Sequence, residues 1–315
     1  MLLENMAYTE VETYLNEKDT ILVPVGSVEQ HSPYGLIGTD FIVAEAIART
    51  VGDNLNLMVA PTVCYGVSPH HMAFKGTVAL SPSTLIIVVE DIVRSLVAHG
   101  FRRILFINGH GGNIVPLQAA FRQLKDEGLS GYFDVMSWYT EAGVKQACRE
   151  AFGDDDGHHA TPSEVSITKH LRPSAFNGKA VSKQKVQKPK YYWPLTATEM
   201  RTFFPDGRME SAPWLATAEL GKQIAAKAAE DLEKKIKDIL DAGEIGKDYQ
   251  LKGWVRTKRG NNKIAFVAVN DGSTIHNLQV VLDVPNFDVA MVDQITTALS
   301  NIDNIDPERI ASITS

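Results

Sequence analysis

The feature that most constrains this chain is a repeated exchange between short apolar runs and longer segments whose apolar residues recur at helical spacing. Arg103–Asn108 (RILFIN) is almost entirely apolar, as expected of a strand covered on both faces. Thr20–Ser27 (TILVPVGS) and Leu57–Tyr65 (LMVAPTVCY) read as two earlier strands, and Tyr132–Trp138 as a later one. Between them, Asp40–Val51 puts Phe41, Ala44, Ile47 and Ala48 on one face, with Asp40 as N-cap and Gly52 as stop. The stretch SPSTLIIVVEDIVRSLVAHG offers Ser83 as cap, a stripe of Leu85, Val89, Ile92 and Leu96, and Gly100 as terminator. Further helices are expected over Ile114–Glu127 and Leu215–Leu240, the latter with Ile224, Ala228, Leu232, Ile236 and Ile239 inward. The alternation predicts an α/β fold, a mainly parallel sheet flanked by helices.

The bulk numbers fit an enzyme acting on a small molecule. With 315 residues, one large domain plus a small appendage is the natural organisation. Lys+Arg 31 against Asp+Glu 38 leaves a net charge of -7, which argues against a bulk electrostatic grip on nucleic acid or an anionic membrane. The two cysteines, Cys64 and Cys148, have no CxxC spacing, so neither a disulfide framework nor a thiolate zinc site is expected. The opening MLLENMAYTEVE is acidic and lacks the basic-then-apolar pattern of a signal peptide, and no window has the unbroken apolar length of a spanning helix. A cytoplasmic protein without membrane partners is therefore expected.

In parallel sheets, ligands gather at the carboxyl ends of the strands. Glu29 and His31 follow the first predicted strand, Tyr65 to His71 the second, and His110 the third, so these polar clusters should meet on one edge. Within GSVEQHSPYGLIGTD, Glu29 and His31 are two apart and point the same way on an extended segment. Asp40 opens the next helix, where backbone N–H groups keep a carboxylate ionised. Mixed carboxylate and imidazole donors suit zinc, manganese or iron(II) better than calcium or magnesium, although a polar loop with a helix cap would look the same. In NGHGGN, Asn108–Asn113, the glycines let the His110 ring come close to a ligand; the segment is neither GxGxxG nor a Walker loop. In GDDDGHHATPSEV, His159 and Glu164 flank Pro162, one on a loop and the other in a first helical turn, able to face one cavity; Asp154–Asp156 read as surface turn residues.

Together, the Glu-x-His followed by Gly-Thr-Asp, the Asn-Gly-His-Gly-Gly-Asn turn, and the late His with Glu five residues on resemble the creatininase (creatinine amidohydrolase) family over roughly residues 15–240. The resemblance implies an α/β core, assembly as a homo-oligomer (commonly a hexamer), and one or two divalent metals. It implies Glu29, His31, Asp40 and His110 as ligands, Asp40 as the bridge, His159 as the catalytic general acid/base, and Trp138 as an aromatic near the substrate. Tyr65, Ser68 and His71 are the further candidate substrate contacts. Creatinine-cleaving members carry a glutamate two residues after the motif histidine; here that position is Gly112, and Glu164 is the natural replacement ligand. Many relatives have Glu and Pro where this chain has His70 and Lys75. Relatives with the double-glycine turn include deformylases, peptide-cleaving enzymes and hydrolases of cyclic ketones. The implied reaction is metal-dependent hydrolysis of a small cyclic amide or formamide, with C–C cleavage of a cyclic diketone as the alternative on the same site.

Domain 1–245 would carry that chemistry, and 246–315 would be a small β-rich appendage. Leu251–Asp283 contains three β-rich runs joined by Gly and Asn turns. Over about residues 251–290 it resembles part of the OB-fold of asparaginyl-tRNA synthetases. Trp254, Arg256, Lys258, Arg259 and Phe266 would suit stacking and phosphate contact, which makes RNA binding the reading of a different class. A complete OB-fold needs five strands, and Val289 onward is acidic and helix-like, so a packing or oligomer-contact role is expected instead.

Overall fold

In the computed structural model, residues 1–179, 182–183, 189–241, 254–260, 263–270 and 278–286 are described. The chain divides into two compact units, Met1–Ile245 and Gly246–Ser315. The first contains helices α1 (Tyr8–Leu15), α2 (Thr39–Leu55), α3 (Pro82–His99), α4 (Ile114–Asp126), α5 (Ala142–Phe152), α6 (Pro162–Leu171), α7 (Ala197–Phe203) and α8 (Ala218–Asp241), and strands β1 (Thr20–Val25), β2 (Met58–Val59), β3 (Arg103–Asn108) and β4 (Tyr132–Ser137). The strands form one sheet in the order β2-β1-β3-β4, with every pairing parallel.

Strand periodicity sorts the core into two layers. Ile21, Val23, Val25, Ile104 and Phe106 face α3 and α4, packing with Leu85, Val89, Val93, Leu117 and Leu124. Leu22, Leu105, Ile107 and Met136 face the other way, against Val43, Ile47, Ile167, Ile224, Ala228 and Leu232 of α2, α6 and α8. Each fully buried Leu or Ile contributes roughly 1.5–3 kcal/mol, so these two layers hold the strand ends in fixed register.

Four local expectations need correction. The second strand is only two residues long, with one further bridge between Val25 and Val63; Pro61 lies between these pairings and has no N–H to donate. Asp40 is not the N-cap: Gly38 holds that position and Asp40 lies in the first turn of α2. That helix runs through Gly52, which is small so that Val59 can pack close, and ends at Asn56 in the left-handed region, φ 53°. The cap of α3 is Ser81, whose hydroxyl accepts from the Thr84 N–H, rather than Ser83.

In the second unit, β5 (Trp254–Gly260), β6 (Ile264–Asn270) and β7 (Leu278–Asp283) form an antiparallel sheet, with Ala265, Val267 and Val269 buried on one face. The boundary at 245/246, the side chains of Trp254 and Lys258, and the acidic stretch from Val289 onward lie outside the described residues. Among the described residues, no helix is long and apolar enough to cross a membrane.

Candidate metal centre

The site is assembled at the carboxyl ends of β1 and β3. Past β1 the chain turns into Glu29-Gln30-His31, with the Glu29 N–H donating to the Ile37 carbonyl at 3.0 Å. The turn after β3 is clamped by Asn108, whose side chain accepts the His110 N–H (3.1 Å) and donates to the His110 carbonyl (2.8 Å). At Gly109 a Cβ would overlap the Asp40 backbone, so only glycine lets this turn reach the start of α2. Glu164 opens α6 through a capping box with Thr161, whose N–H donates to Glu164 Oε1 at 2.5 Å. His159 is held in a short antiparallel bridge with Met209, and the Ser211 hydroxyl donates to the His159 carbonyl at 2.7 Å.

Asp40 lies at the centre of the cluster. Its Oδ1 is 3.0 Å from His31 Nε2, which is 3.8 Å from Glu164 Oε2. Its Oδ2 is 3.1 Å from His110 Nδ1, which is 3.2 Å from Glu29 Oε2. Two ligand triplets therefore share Asp40, namely Glu29–Asp40–His110 and His31–Asp40–Glu164, each with donor atoms within 4.8 Å of one another; Glu29, His31 and His159 form a third such group.

The other ring nitrogens are already committed. His31 Nδ1 meets the Glu29 carbonyl at 3.2 Å and His110 Nε2 meets the Val67 carbonyl at 3.0 Å. A carbonyl can only accept, so each of these nitrogens carries a proton and the inner nitrogen is the one turned to the cluster. Glu29 Oε2, His31 Nε2 and Asp40 Oδ2 are buried without an aligned hydrogen bond. Leaving such atoms unsatisfied costs about 1–3 kcal/mol each, and a divalent ion would satisfy them together. The donor set, carboxylates with imidazoles whose inner nitrogens a metal would hold deprotonated, fits zinc, manganese or iron.

The electrostatics match a cation site. Burial pulls the His31 imidazolium down, but Asp40, Glu164 and Glu29 outweigh it and raise its pKa to about 10. His110 is likewise raised, its burial outweighed by Glu29 and Asp40. Asp40 and Glu29 are held below the usual carboxylate range despite burial, by the facing histidines. Burial takes Glu164 to about 7. Burial and the neighbouring His31 charge lower His159 to about 4, which leaves it neutral, with Nε2 bonded to the Gln30 carbonyl at 2.7 Å and Nδ1 3.7 Å from Glu29 Oε1.

The sequence-derived candidates are placed unevenly around this cluster. Glu29, His31, Asp40, His110, Glu164 and His159 come together. His71 stacks on His159 with ring centroids 4.4 Å apart. Ser68 is fully buried and accepts from the Ser27 hydroxyl at 3.1 Å. Tyr65 stands 50% exposed, whereas Trp138 is 2% exposed and packs in the core layer with Val144, Ile167 and Ile224. Asp156 is not a free turn residue: it is partly buried and accepts from the Ser163 N–H and hydroxyl at the start of α6. Sequence reasoning passed over Gln30, a buried amide that touches two histidines. Its only signal was its place between Glu29 and His31.

Gly112 is tightly enclosed. A Cβ there would overlap the Val67 carbonyl oxygen and come within 2.5 Å of His110 Nε2. The turn therefore has no room for a side chain at that position.

The comparisons with known proteins agree with this architecture. The creatininase family profile, described as creatinine amidohydrolase, matches residues 4–236. A mycofactocin precursor peptide peptidase of Mycolicibacterium smegmatis is 41% identical over 159 residues, covering 49% of this chain and 58% of that one. A creatinine amidohydrolase of Pseudomonas putida is 28% identical over 183 residues, covering 53% and 70%. The chain spans about three-fifths of the length of the mycobacterial peptidases it matches. A manganese creatininase structure superposes with TM-score 0.66 at 24% identity, covering 76% of this chain and 98% of that one, and so shares the fold. At the C-terminus, an asparagine–tRNA ligase of Porphyromonas gingivalis is 56% identical over 63 residues, 20% of this chain and 13% of the ligase. With the profile spanning nearly three-quarters of its length and the motif residues gathered at one sheet edge, this chain belongs to the creatininase family.

Proposed function

We propose that the chain is a divalent-metal-dependent amidohydrolase that cleaves the C–N bond beside the carbonyl of a small cyclic amide or formamide. The observation that carries this reading is the convergence of buried donor atoms without aligned partners, Glu29 Oε2, His31 Nε2 and Asp40 Oδ2, in two triplets that share Asp40. Glu29, Asp40 and His110 would hold one ion, and His31, Asp40 and Glu164 a second. Zinc, manganese or iron bound there supplies hydroxide near neutral pH and polarises the substrate carbonyl.

The chain's own groups do the rest. His159, neutral and with Nδ1 bare toward Glu29, takes a proton as the nucleophile attacks and returns it to the leaving nitrogen. The carbonyls of Glu29 and Val67 fix the rings of His31 and His110, so the ligands need little rearrangement. Ser68, His71 and Tyr65 would contact the substrate from the segment after β2. Trp138 would act from beneath, shaping the floor rather than the open rim.

The peptidase relatives support C–N chemistry, and the tight packing at Gly112 supports a substrate other than creatinine. C–C cleavage of a cyclic diketone on the same centre is the alternative. A homo-oligomer, and a catalytic domain ending near residue 245, belong to the same reading. The ligase-like tail keeps an RNA-binding reading open to test, but we assign it a packing or oligomer-contact role. Filter binding to tRNA at low salt should show no tight, salt-sensitive complex. A zinc- or manganese-loaded protein should hydrolyse members of a panel of lactams, N-formyl compounds and cyclic diketones, with loss on chelation and recovery on reloading. Turnover confined to the diketones would overturn the C–N assignment.

A further inference from the structure

Two imidazoles, those of His71 and His159, stack beside the candidate metal ligands with an interplanar angle of 25°. Both face the same carboxylate oxygen: Glu29 Oε1 is 3.6 Å from His71 Nε2 and 3.7 Å from His159 Nδ1. They are held by one residue, Gln30, in opposite senses. The Gln30 backbone carbonyl accepts from His159 Nε2 at 2.7 Å, so in the neutral ring Nδ1 is the bare acceptor.

The Gln30 side chain acts on His71. Its Oε1 accepts the Ser32 N–H at 2.9 Å, which fixes the amide the other way round, with Nε2 directed at the Gly207 carbonyl (3.0 Å) and at His71 Nδ1 (2.9 Å). An amide nitrogen only donates, so His71 Nδ1 must accept and its proton resides on Nε2. The amide has no freedom to turn: Gln30 is 5% exposed, and a Cβ at Gly207, where φ is +82°, would overlap its Oε1.

We propose that Gln30 is a positioning residue that locks His71 as the Nε2–H tautomer, giving the site a fixed neutral donor for the substrate carbonyl oxygen alongside the His159 acceptor. This rests on the amidohydrolase reading. A donor already aimed at the position where negative charge develops needs no reorganisation during attack, and loss of one such donor costs about 10²–10³ in kcat. The 3.6 Å separation from Glu29 Oε1 is too long for a strong hydrogen bond and leaves the N–H available to a third atom.

The test uses the zinc-loaded full chain labelled with 15N at histidine, compared with Gln30→Glu, Gln30→Leu and His71→Phe. In the wild type, His71 should show a protonated Nε2 and a bare Nδ1. Gln30→Glu should move the proton to Nδ1, since a carboxylate accepts, while His159, held by a backbone carbonyl, keeps its pattern. Acetohydroxamate, a small oxygen ligand, should shift the His71 Nε2–H proton in the wild type, and that response should vanish in Gln30→Glu. Against the best amide of the panel, Gln30→Leu and His71→Phe should lose about 10²-fold in kcat with KM changed far less and zinc content intact. A wild-type His71 protonated on Nδ1 overturns the proposal, as does an unshifted acetohydroxamate signal or loss of zinc in the Gln30 variants. Wild-type protein that gives the predicted spectra but cleaves no amide overturns the substrate reading instead.

Discussion

Two adjacent glycines in the Asn-Gly-His-Gly-Gly-Asn turn should respond oppositely to one added methyl group. At Gly112 a Cβ would overlap the Val67 carbonyl oxygen, the acceptor that holds His110 Nε2 at 3.0 Å. Forcing such a contact costs about 1–3 kcal/mol, and 1 kcal/mol moves the midpoint by about 2–4 °C in a domain of this size. Gly112→Ala should therefore unfold about 2–12 °C lower even under chelation. Displacing a partner that orients a metal-bound histidine weakens metal affinity about 10–100-fold, a further loss of about 1.4–2.7 kcal/mol that appears only when metal is present. At Gly111 the nearest atom to a Cβ is the Tyr139 hydroxyl at 3.7 Å, and φ is outside the left-handed region. Gly111→Ala should be neutral or stabilising by up to about 1 kcal/mol. Differential scanning calorimetry with EDTA and with zinc separates the two contributions. If Gly112→Ala melts with the wild type in both buffers, the crowding argument for a glycine in place of the glutamate is wrong.

Two further predictions concern proton traffic. His159→Ala should retain its metal by elemental analysis and lose about 10²–10⁴ in turnover, the usual worth of a general acid/base; an empty variant would make His159 a ligand instead. In the chelated protein the folded pKa of His31, about 10, lies above its unfolded value of about 6.5. The stability it adds is complete below the unfolded value and is lost as pH rises through the folded one. Glu164, raised to about 7 by burial, has the same sign between about 4.3 and 7. Melting of the chelated protein should therefore fall from pH 6 to pH 10, while the gain on adding zinc grows because metal replaces those protons. A pH-independent zinc effect would contradict this.

The parts of the fold written in hydrophobic pattern were legible: β3 reads as buried from RILFIN alone, and α8 from the spacing of Ile224, Ala228, Leu232 and Ile236. The convergence of Glu29, His31, Asp40, His110, His159 and Glu164 was legible from the strand ends they follow and from the family resemblance. What stayed hidden depends on partners distant in sequence. The shortness of β2 depends on where Pro61 meets its neighbour strand. Gly52 looked like a helix stop because close packing against Val59 has no local signature. Gln30, lacking charge, acquires its role only when Gly207, 177 residues away, forms its seat.

In the proposed centre, side chains from the turns after β1 and β3 and from α2 and α6 share divalent ions through Asp40. Zinc titration by calorimetry, with elemental analysis of the dialysed full chain, tests this sharing most directly on wild type and Asp40→Asn. Wild type should bind two ions per chain, and Asp40→Asn should lose affinity at both positions, since Asp40 belongs to both triplets. A wild type that takes up no zinc or manganese, or an Asp40→Asn variant that loads like wild type, would contradict the account.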